Sequence, residues 1–502
     1  MRATIAFSAM AFGMFMALLD IQIVASSLQE IGGGLSASQD QISWVQTAYL
    51  VAEIVVIPLS GWLTRLCSTR FLFAGSAIGF ALASLACGTA SNIGSMIAFR
   101  ALQGALGASM IPIVFTASFH YFPGKRQVLA AAVVGTISFL APTLGPVLGG
   151  FITDTLSWSW LFYINLFPGL IVGALVLLFV DIDKPDPKAI TQIDYVGIVL
   201  MAVGLGTLEY VLEEGTRWNW FVDPTIRACA WISAISLIAL VARSLLAKYP
   251  IADFRAFRNR NFFIGCVLSF ISGIGIFTTN FVTPAFLDYD RGFSTWQTGL
   301  AIFPSGCASL LGMPVYVALA RRLDLRWIMM IGFLAFAFAM WSFTFMTSEW
   351  GANELLGPQI YRGLPLVFFV APLVTLGLGS LSADRLKYAS GLFNTMRNLG
   401  GAVGIAMSSA MLSTQTNVHF NRLASNLTYS RGAVREAALR LTQQFGPGAG
   451  VPAETHHRLL LEIWRLTFLQ AQTISYADVF RAIMAAFLIA AGLVPFMRKH
   501  QA

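Results

Sequence analysis

Apolar runs long enough to cross a membrane recur from one end of this chain to the other, and they constrain its fold more than any other feature. A helix needs roughly 20 consecutive apolar residues to cover a hydrocarbon core. Inside that core each backbone N–H and C=O must be satisfied within its own segment, so such runs form helices. Fourteen runs can be laid out. The first six cover 4–28, 44–65, 71–90, 95–119, 127–152 and 159–180. The rest cover 194–212, 225–246, 262–287, 296–319, 327–347, 358–381, 389–414 and 476–497. Only 11% of the 502 residues are charged, against about 25% in a soluble globular chain. The expected fold class is an all-α polytopic membrane protein.

The basic residues set the expected topology. Arg65, Arg70, Lys125, Arg126, Lys184, Lys188, Arg255, Arg258, Arg260, Arg321, Arg322, Arg326, Arg385, Lys387, Arg498 and Lys499 fall in one set of gaps and at the tail. The opposite short gaps carry only Arg217 and Arg291. Positive charge stays in the cytoplasm, so both termini are expected there. The same distribution explains the net charge of +8 without nucleic acid. The N-terminal "MRATIAFSAMAFGMF" starts like a signal peptide, but its apolar run continues past Asp20, so it reads as a retained first helix. The five cysteines lie in or beside apolar spans with no metal or disulfide spacing. His456 and His457 in "ETHHR" lack a ligand set, so no metal and no cofactor is expected.

One acid interrupts the first run, in "FMALLDIQIVASSL". An ionised carboxylate at a helix centre costs roughly 2.5–3.5 kcal/mol to insert. Such groups face a bundle interior or a wet cavity, and burial favours the neutral form of an acid. Asp20 is therefore the leading proton-carrying candidate. Glu53, in "LVAEIVVIP", and Arg100, in "FRALQGALGASMIP", share its half of the membrane. Arg100, Gln103, Gly104, Gly107 and Ala108 form one helical face, a cation and an amide followed by small residues. The plain alternative is an ion pair that only braces the bundle.

Helix 5 carries "APTLGPVLGG". Pro142 and Pro146 remove backbone donors. Gly145, Gly149 and Gly150 make a small-residue face for close helix packing, and a candidate gating seam. Glu209, Arg362, Arg397, Asn280, Asn394 and Trp341 are the remaining intramembrane polar or aromatic positions of note. Packing or interhelical hydrogen bonding is the first reading of each. Asn280, Trp341, Asn394 and Arg397 are also candidates for lining a cavity. The segment from about 415 to 475 is the one long outer excursion, with "RGAVREAALRLTQQF" and "ETHHRLLLEIWRLTFLQAQ" both spaced as amphipathic helices and "GPGAGVP" between them.

Taken together, "LLDIQIVASSLQEI", "RALQGALGASMIP", "APTLGPVLGG", "WSWLFYINLFPG", "YASGLFNTMRNLGGAVGIA" and "ISYADVF" resemble motifs of the major facilitator superfamily, in particular fourteen-helix drug:proton antiporters of the EmrB type. The resemblance implies two six-helix bundles. The first spans 1–181 and the second 262–502, with a linker and two inserted helices over 182–261. It implies rocking-bundle alternating access, protons and small lipophilic substrates as cargo, a bacterial inner membrane, and a periplasmic adaptor and outer-membrane channel as partners. One motif departs: "GWLTRLCSTR" has Arg65 where the superfamily has aspartate and Ser68 where it has glycine. The expected function is proton-coupled efflux of lipophilic or amphipathic drugs, not enzymatic catalysis. A narrow exporter of one metabolite, lipid or siderophore remains the alternative, with a non-transporting receptor on the same scaffold behind it.

Overall fold

The computed structural model describes residues 2–191, 193–247, 250–252, 254–427, 436 and 452–498. Fourteen long helices carry the chain. They are α1 (Arg2–Ser26), α2 (Gln39–Cys67), α3 (Thr69–Gly88), α4 (Ile93–Tyr121), α5 (Gln127–Thr155), α6 (Trp160–Phe179) and α7 (Tyr195–Glu214). Then follow α8 (Pro224–Leu246), α9 (Arg260–Ala285), α10 (Thr295–Ala320), α11 (Leu325–Phe343), α12 (Ala352–Leu378), α13 (Ala383–Ala424) and α14 (Pro452–Leu493).

Thirteen have the length and composition to cross a membrane. The remaining one, α13, is diluted by Ser, Thr, Asn and Gly. Gly400 and Gly404 lie against the backbone of α9 and Gly391 against that of α2, and the helix packs on α2, α9 and α14. A helix so enclosed by protein has less need of an apolar surface for lipid.

The two halves repeat one packing scheme. In the first, α1 packs on α5 and α6, α2 on α4, and α3 on α4 and α6. In the second, α9 packs on α13 and α14, α10 on α12, and α11 on α12 and α14. These are the same pairs shifted by eight helices, so α12 corresponds to α4 and α9 to α1. The inserted α7 and α8 pack on each other, and α7 also lies on α2. The halves meet where α5 packs on α10 and α12, and where α2 and α4 pack on α13.

The starts of α3, α9, α11 and α13 share one side with the ends of α6, α12 and α14. Arg326 Nη1 donates to the Met497 carbonyl (3.1 Å), Asn261 Nδ2 to the Arg498 carbonyl (3.0 Å) and Asn259 Nδ2 to the Ser380 carbonyl (3.3 Å). Asp183, just past α6, accepts from Thr69 N (2.7 Å) and pairs with Lys387 at the start of α13. This is the arginine-rich side. The two halves touch there through Thr116 and Ser390 (2.9 Å) as well.

The departing motif lies on this side too. Arg65, in the aspartate position, bonds Asp186 of the linker through Nε (3.1 Å) and Nη2 (3.0 Å). Ser68, in the glycine position, has φ 72° and ψ 156°. That region is essentially reserved for glycine and costs about 1–3 kcal/mol otherwise. Ser68→Gly is expected to stabilise the protein by about 1 kcal/mol, read as a raised melting temperature in detergent. A fall in that temperature would show that the serine hydroxyl, facing Phe71 N at 3.5 Å, matters more than the backbone.

At the other side α13 and α14 run on past the expected ends of their spans. Each is one helix of 42 residues. Thr416 Oγ1 bonds Ser475 Oγ (3.1 Å), His419 meets Asp478 (2.7 Å), and Phe420 packs on Trp464 and Phe468. The segment "ETHHRLLLEIWRLTFLQAQ" is thus part of α14, not a separate element. The segment "RGAVREAALRLTQQF" lies outside the described residues apart from Glu436, as does "GPGAGVP" up to Pro452.

Candidate functional site

Asp20 sits on α1, 1% exposed, and four helices close around it. Arg100 of α4 donates from Nη1 to Asp20 Oδ2 at 2.7 Å. Gln103, one turn along α4, donates from Nε2 to Asp20 Oδ1 at 3.1 Å. Asn165, at the start of the main part of α6, donates from Nδ2 to the same oxygen at 2.6 Å. Asn165 is held in turn by Ser84 of α3 (3.0 Å), whose hydroxyl donates to the Phe162 carbonyl (2.9 Å). Every group in this shell is buried.

Arg100, with no exposed surface, has partners besides Asp20. Its Nη1 also reaches Gln103 Oε1 (2.8 Å), and its Nε donates to the Val45 carbonyl of α2 (3.2 Å). Its guanidinium lies 4.2 Å from the Tyr49 ring centroid, a favourable cation–π distance. Arg100 Nη2 has no partner. The chemistry follows from these further contacts. Were Asp20 to take a proton, the guanidinium would keep the Val45 carbonyl, the Gln103 amide and the Tyr49 ring. Those contacts do not depend on the charge of Asp20.

Gly104 explains how α4 comes so close to α2. A Cβ there would lie 2.4 Å from the Tyr49 carbonyl oxygen, so only glycine allows the approach. On α5, Gly145 and Gly149 face α1, at Gln22 and at Ser26. Gly150 faces the Trp296 backbone of α10 in the other half. The helix runs unbroken through Pro142 and Pro146. The expected small-residue face thus serves two seams, one within the first half and one between halves.

Glu53 of α2 is 2% exposed. It interacts electrostatically with Arg397 of α13 first and with Arg100 second. It is therefore a neighbour of the Asp20 cluster, without hydrogen bonding to it. Arg397 Nη1 reaches Ser138 Oγ of α5 at 3.4 Å, and the guanidinium lies 5.4 Å from the Phe115 ring. Asn394 is fully buried and donates to the Ser390 carbonyl (2.8 Å), while both side-chain polar atoms of Asn280 are buried without a partner. Glu209 of α7 is 4% exposed, within electrostatic reach of Glu53.

Trp341, one of the cavity-lining candidates, is 46% exposed. The exposed side chains of α11 and the turn after it recur as Trp327, Ile331, Leu334, Phe338, Trp341 and Phe345, at the three-and-four spacing of one helical face. That face points outward from the bundle. Arg362 also lies deeper than its span suggests, because α12 starts at Ala352, roughly 15 Å before it.

The Asp20 cluster contains three groups that sequence reasoning missed, Asn165, Tyr49 and Ser84. Asn165 lies in "FYINLFPG", where the signal is a lone amide among apolar residues. Tyr49 and Ser84 carry no sequence signal beyond being polar in a span. Among the described residues no group of three or more His, Cys, Asp or Glu is placed to hold a metal.

Comparison with known proteins places this geometry. A family profile described as the Major Facilitator Superfamily matches residues 10–405. The chain is 34% identical over 493 residues to the colistin resistance protein EmrB of Acinetobacter baumannii, covering 98% of this chain and 96% of that one. It is 30% identical over 422 residues to the multidrug export protein EmrB of Escherichia coli, covering 84% of this chain and 82% of that one. Among solved structures it is similar to a bacterial homologue of the human lysosomal transporter Spinster, in an inward-facing conformation. The TM-score is 0.56 at 15% identity, covering 100% of this chain and 99% of that one. This last likeness concerns the fold alone.

Proposed function

The chain belongs to the Major Facilitator Superfamily, and on that premise we propose that it is a proton-driven exporter of lipophilic or amphipathic compounds. The observation that carries this reading is the buried Asp20–Arg100 pair with its redundant shell. A buried ion pair is weak evidence of stability, because desolvation offsets much of the attraction. An intramembrane acid poised among alternative donors is a functional group by default. Residues 1–181 and 262–502 are the rocking bundles, and 182–261 the linker and inserted pair. In the outward state Asp20 takes a proton and releases Arg100 to its other partners. The neutral site favours the inward state, where substrate binds and the proton leaves. The loaded carrier then turns outward. Glu53, between Arg100 and Arg397, senses both bundles and assists.

The names of the relatives support export of toxic compounds. The membrane is then a bacterial inner membrane, with the arginine-rich side and both termini cytoplasmic. The projecting ends of α13 and α14 are the dock for a periplasmic adaptor, which joins the exporter to an outer-membrane channel.

The test is substrate-evoked proton movement in everted vesicles with an energised pH gradient. Several chemically unrelated amphipathic compounds are each expected to dissipate part of the gradient. A response to one compound alone would make the protein a narrow exporter. No response to any, with the protein folded and inserted, would sink the export reading.

A further inference from the structure

Three arginines are buried among the described residues, and their surroundings differ. Arg100 has Asp20, and Arg397 has Glu53 within electrostatic reach. Arg362 has no carboxylate at ion-pair distance among the described residues, although it has no exposed surface. Its Nη2 donates to Ser305 Oγ of α10 at 2.9 Å. Its Nε and Nη1 are buried without an acceptor. One turn before it on α12, Gln359 is also fully buried, and both its side-chain oxygen and nitrogen lack partners.

Position makes this more than a packing fault. The Arg362 guanidinium lies 5.5 Å from the Phe139 ring of α5, while Arg397 reaches the adjacent Ser138. Two cations of the second half thus converge on one turn of α5 in the first half. That turn belongs to the seam between the halves. Since α12 corresponds to α4, Arg362 occupies the element that in the first half carries Arg100. The second half keeps the cation and lacks the acid.

An uncompensated buried charge with unmet donors is strongly destabilising, so a chain that keeps one has a use for it. A bound anion supplies what is missing: a counter-charge, and acceptors for Arg362 Nε and Nη1 and the Gln359 amide. The forked donors of arginine fit a planar carboxylate. The apolar Phe139 ring beside them suits the body of an amphiphile.

We propose that Arg362, with Gln359 and Ser305, binds the anionic head group of amphipathic substrates, a carboxylate above all. The site is uncovered when the α5 seam parts. This deepens the export reading, on which it rests, by naming a substrate class.

The test uses the full chain in phosphatidylcholine proteoliposomes. The probes are dansyl-undecanoate, its uncharged methyl ester, and tetraphenylphosphonium. The carboxylate is expected to bind at least about tenfold more tightly than the ester, as a charge-assisted hydrogen-bonded pair warrants. Arg362→Gln should remove that preference, bringing carboxylate and ester to equal affinity. Arg362→Lys should keep part of it, and Gln359→Leu should reduce carboxylate binding several-fold. Equal binding of carboxylate and ester by the wild type overturns the proposal, as does a preference that survives Arg362→Gln. If Arg362→Gln does not fold, an unmoved preference in both Arg362→Lys and Gln359→Leu overturns it equally. Displacement of the probe by added phosphatidylglycerol assigns the site to lipid head groups and overturns the substrate assignment. Gradient-driven transport of tetraphenylphosphonium without any carboxylate preference rejects the anion site and leaves export standing. Carboxylate preference without gradient-driven transport of any probe supports the site and rejects export.

Discussion

Asp20→Asn is expected to abolish substrate-evoked proton movement and leave a folded, inserted protein. The loss should be on the order of 100-fold or more, the low end of what removing a proton-transferring group costs. Asparagine has the shape of a protonated aspartate and cannot give up the proton. A carrier visits the neutral state in every cycle, so its fold must tolerate that shape. Gln103 and Asn165, which both donate to Asp20 Oδ1, are amides that can turn to meet an amide. Arg100 retains the Val45 carbonyl and the Tyr49 ring. Proton flux in everted vesicles checks coupling, and gel filtration checks folding. Undiminished flux would move coupling away from Asp20, with Glu53 next in line.

Arg100→Ala should have the opposite character, failing in stability before function. It removes the strongest donor to a carboxylate that has no exposed surface. It also empties the space beside Tyr49. Breaking a buried pair by removing one partner costs about 3–5 kcal/mol. The double variant Arg100→Ala with Asp20→Asn should recover a large share of that loss, because the stranded charge goes with the second change. Thermal denaturation in detergent of both single variants and the double one gives the coupling between the two sites. If the double variant is no more stable than Arg100→Ala, packing on Tyr49 and on the Phe162 ring, 5.9 Å from the guanidinium, dominates, and the charge pair matters little to the fold.

The membrane crossings were legible because the hydrocarbon core imposes a length and a composition on every helix. The same rule marked Asp20 and Arg100, since a charge stands out against an apolar run. It could not place Trp341. A helix apolar on all sides gives no amphipathic stripe to separate its lipid face from its interior face. The start of α12 was misplaced for a related reason. "ANELLGPQIYRG" is polar enough to read as a loop, yet it folds as helix because α10 and α11 pack against it. Asn165 was missed because one amide in an apolar stretch costs little and says nothing about which neighbour it meets. Hydropathy also falls where water begins, not where a helix stops. The outer lengths of α13 and α14 therefore read as an excursion in the sequence, and only the structure shows that each is continuous with the long helix it leaves.

That continuity has a mechanical consequence. From residue 475 back to 452, α14 extends roughly 36 Å at 1.5 Å per residue. It has no joint on the way, and α13 braces it through Phe420 against Trp464 and Phe468. A tilt of the second half by about 10–15°, the scale of rigid-body transitions, would swing the far end by roughly 6–9 Å. The pair acts as a pointer fixed to a turning dial. Were the second half to reorient as proposed, the turn would be written, magnified, as a displacement of the far end of α14.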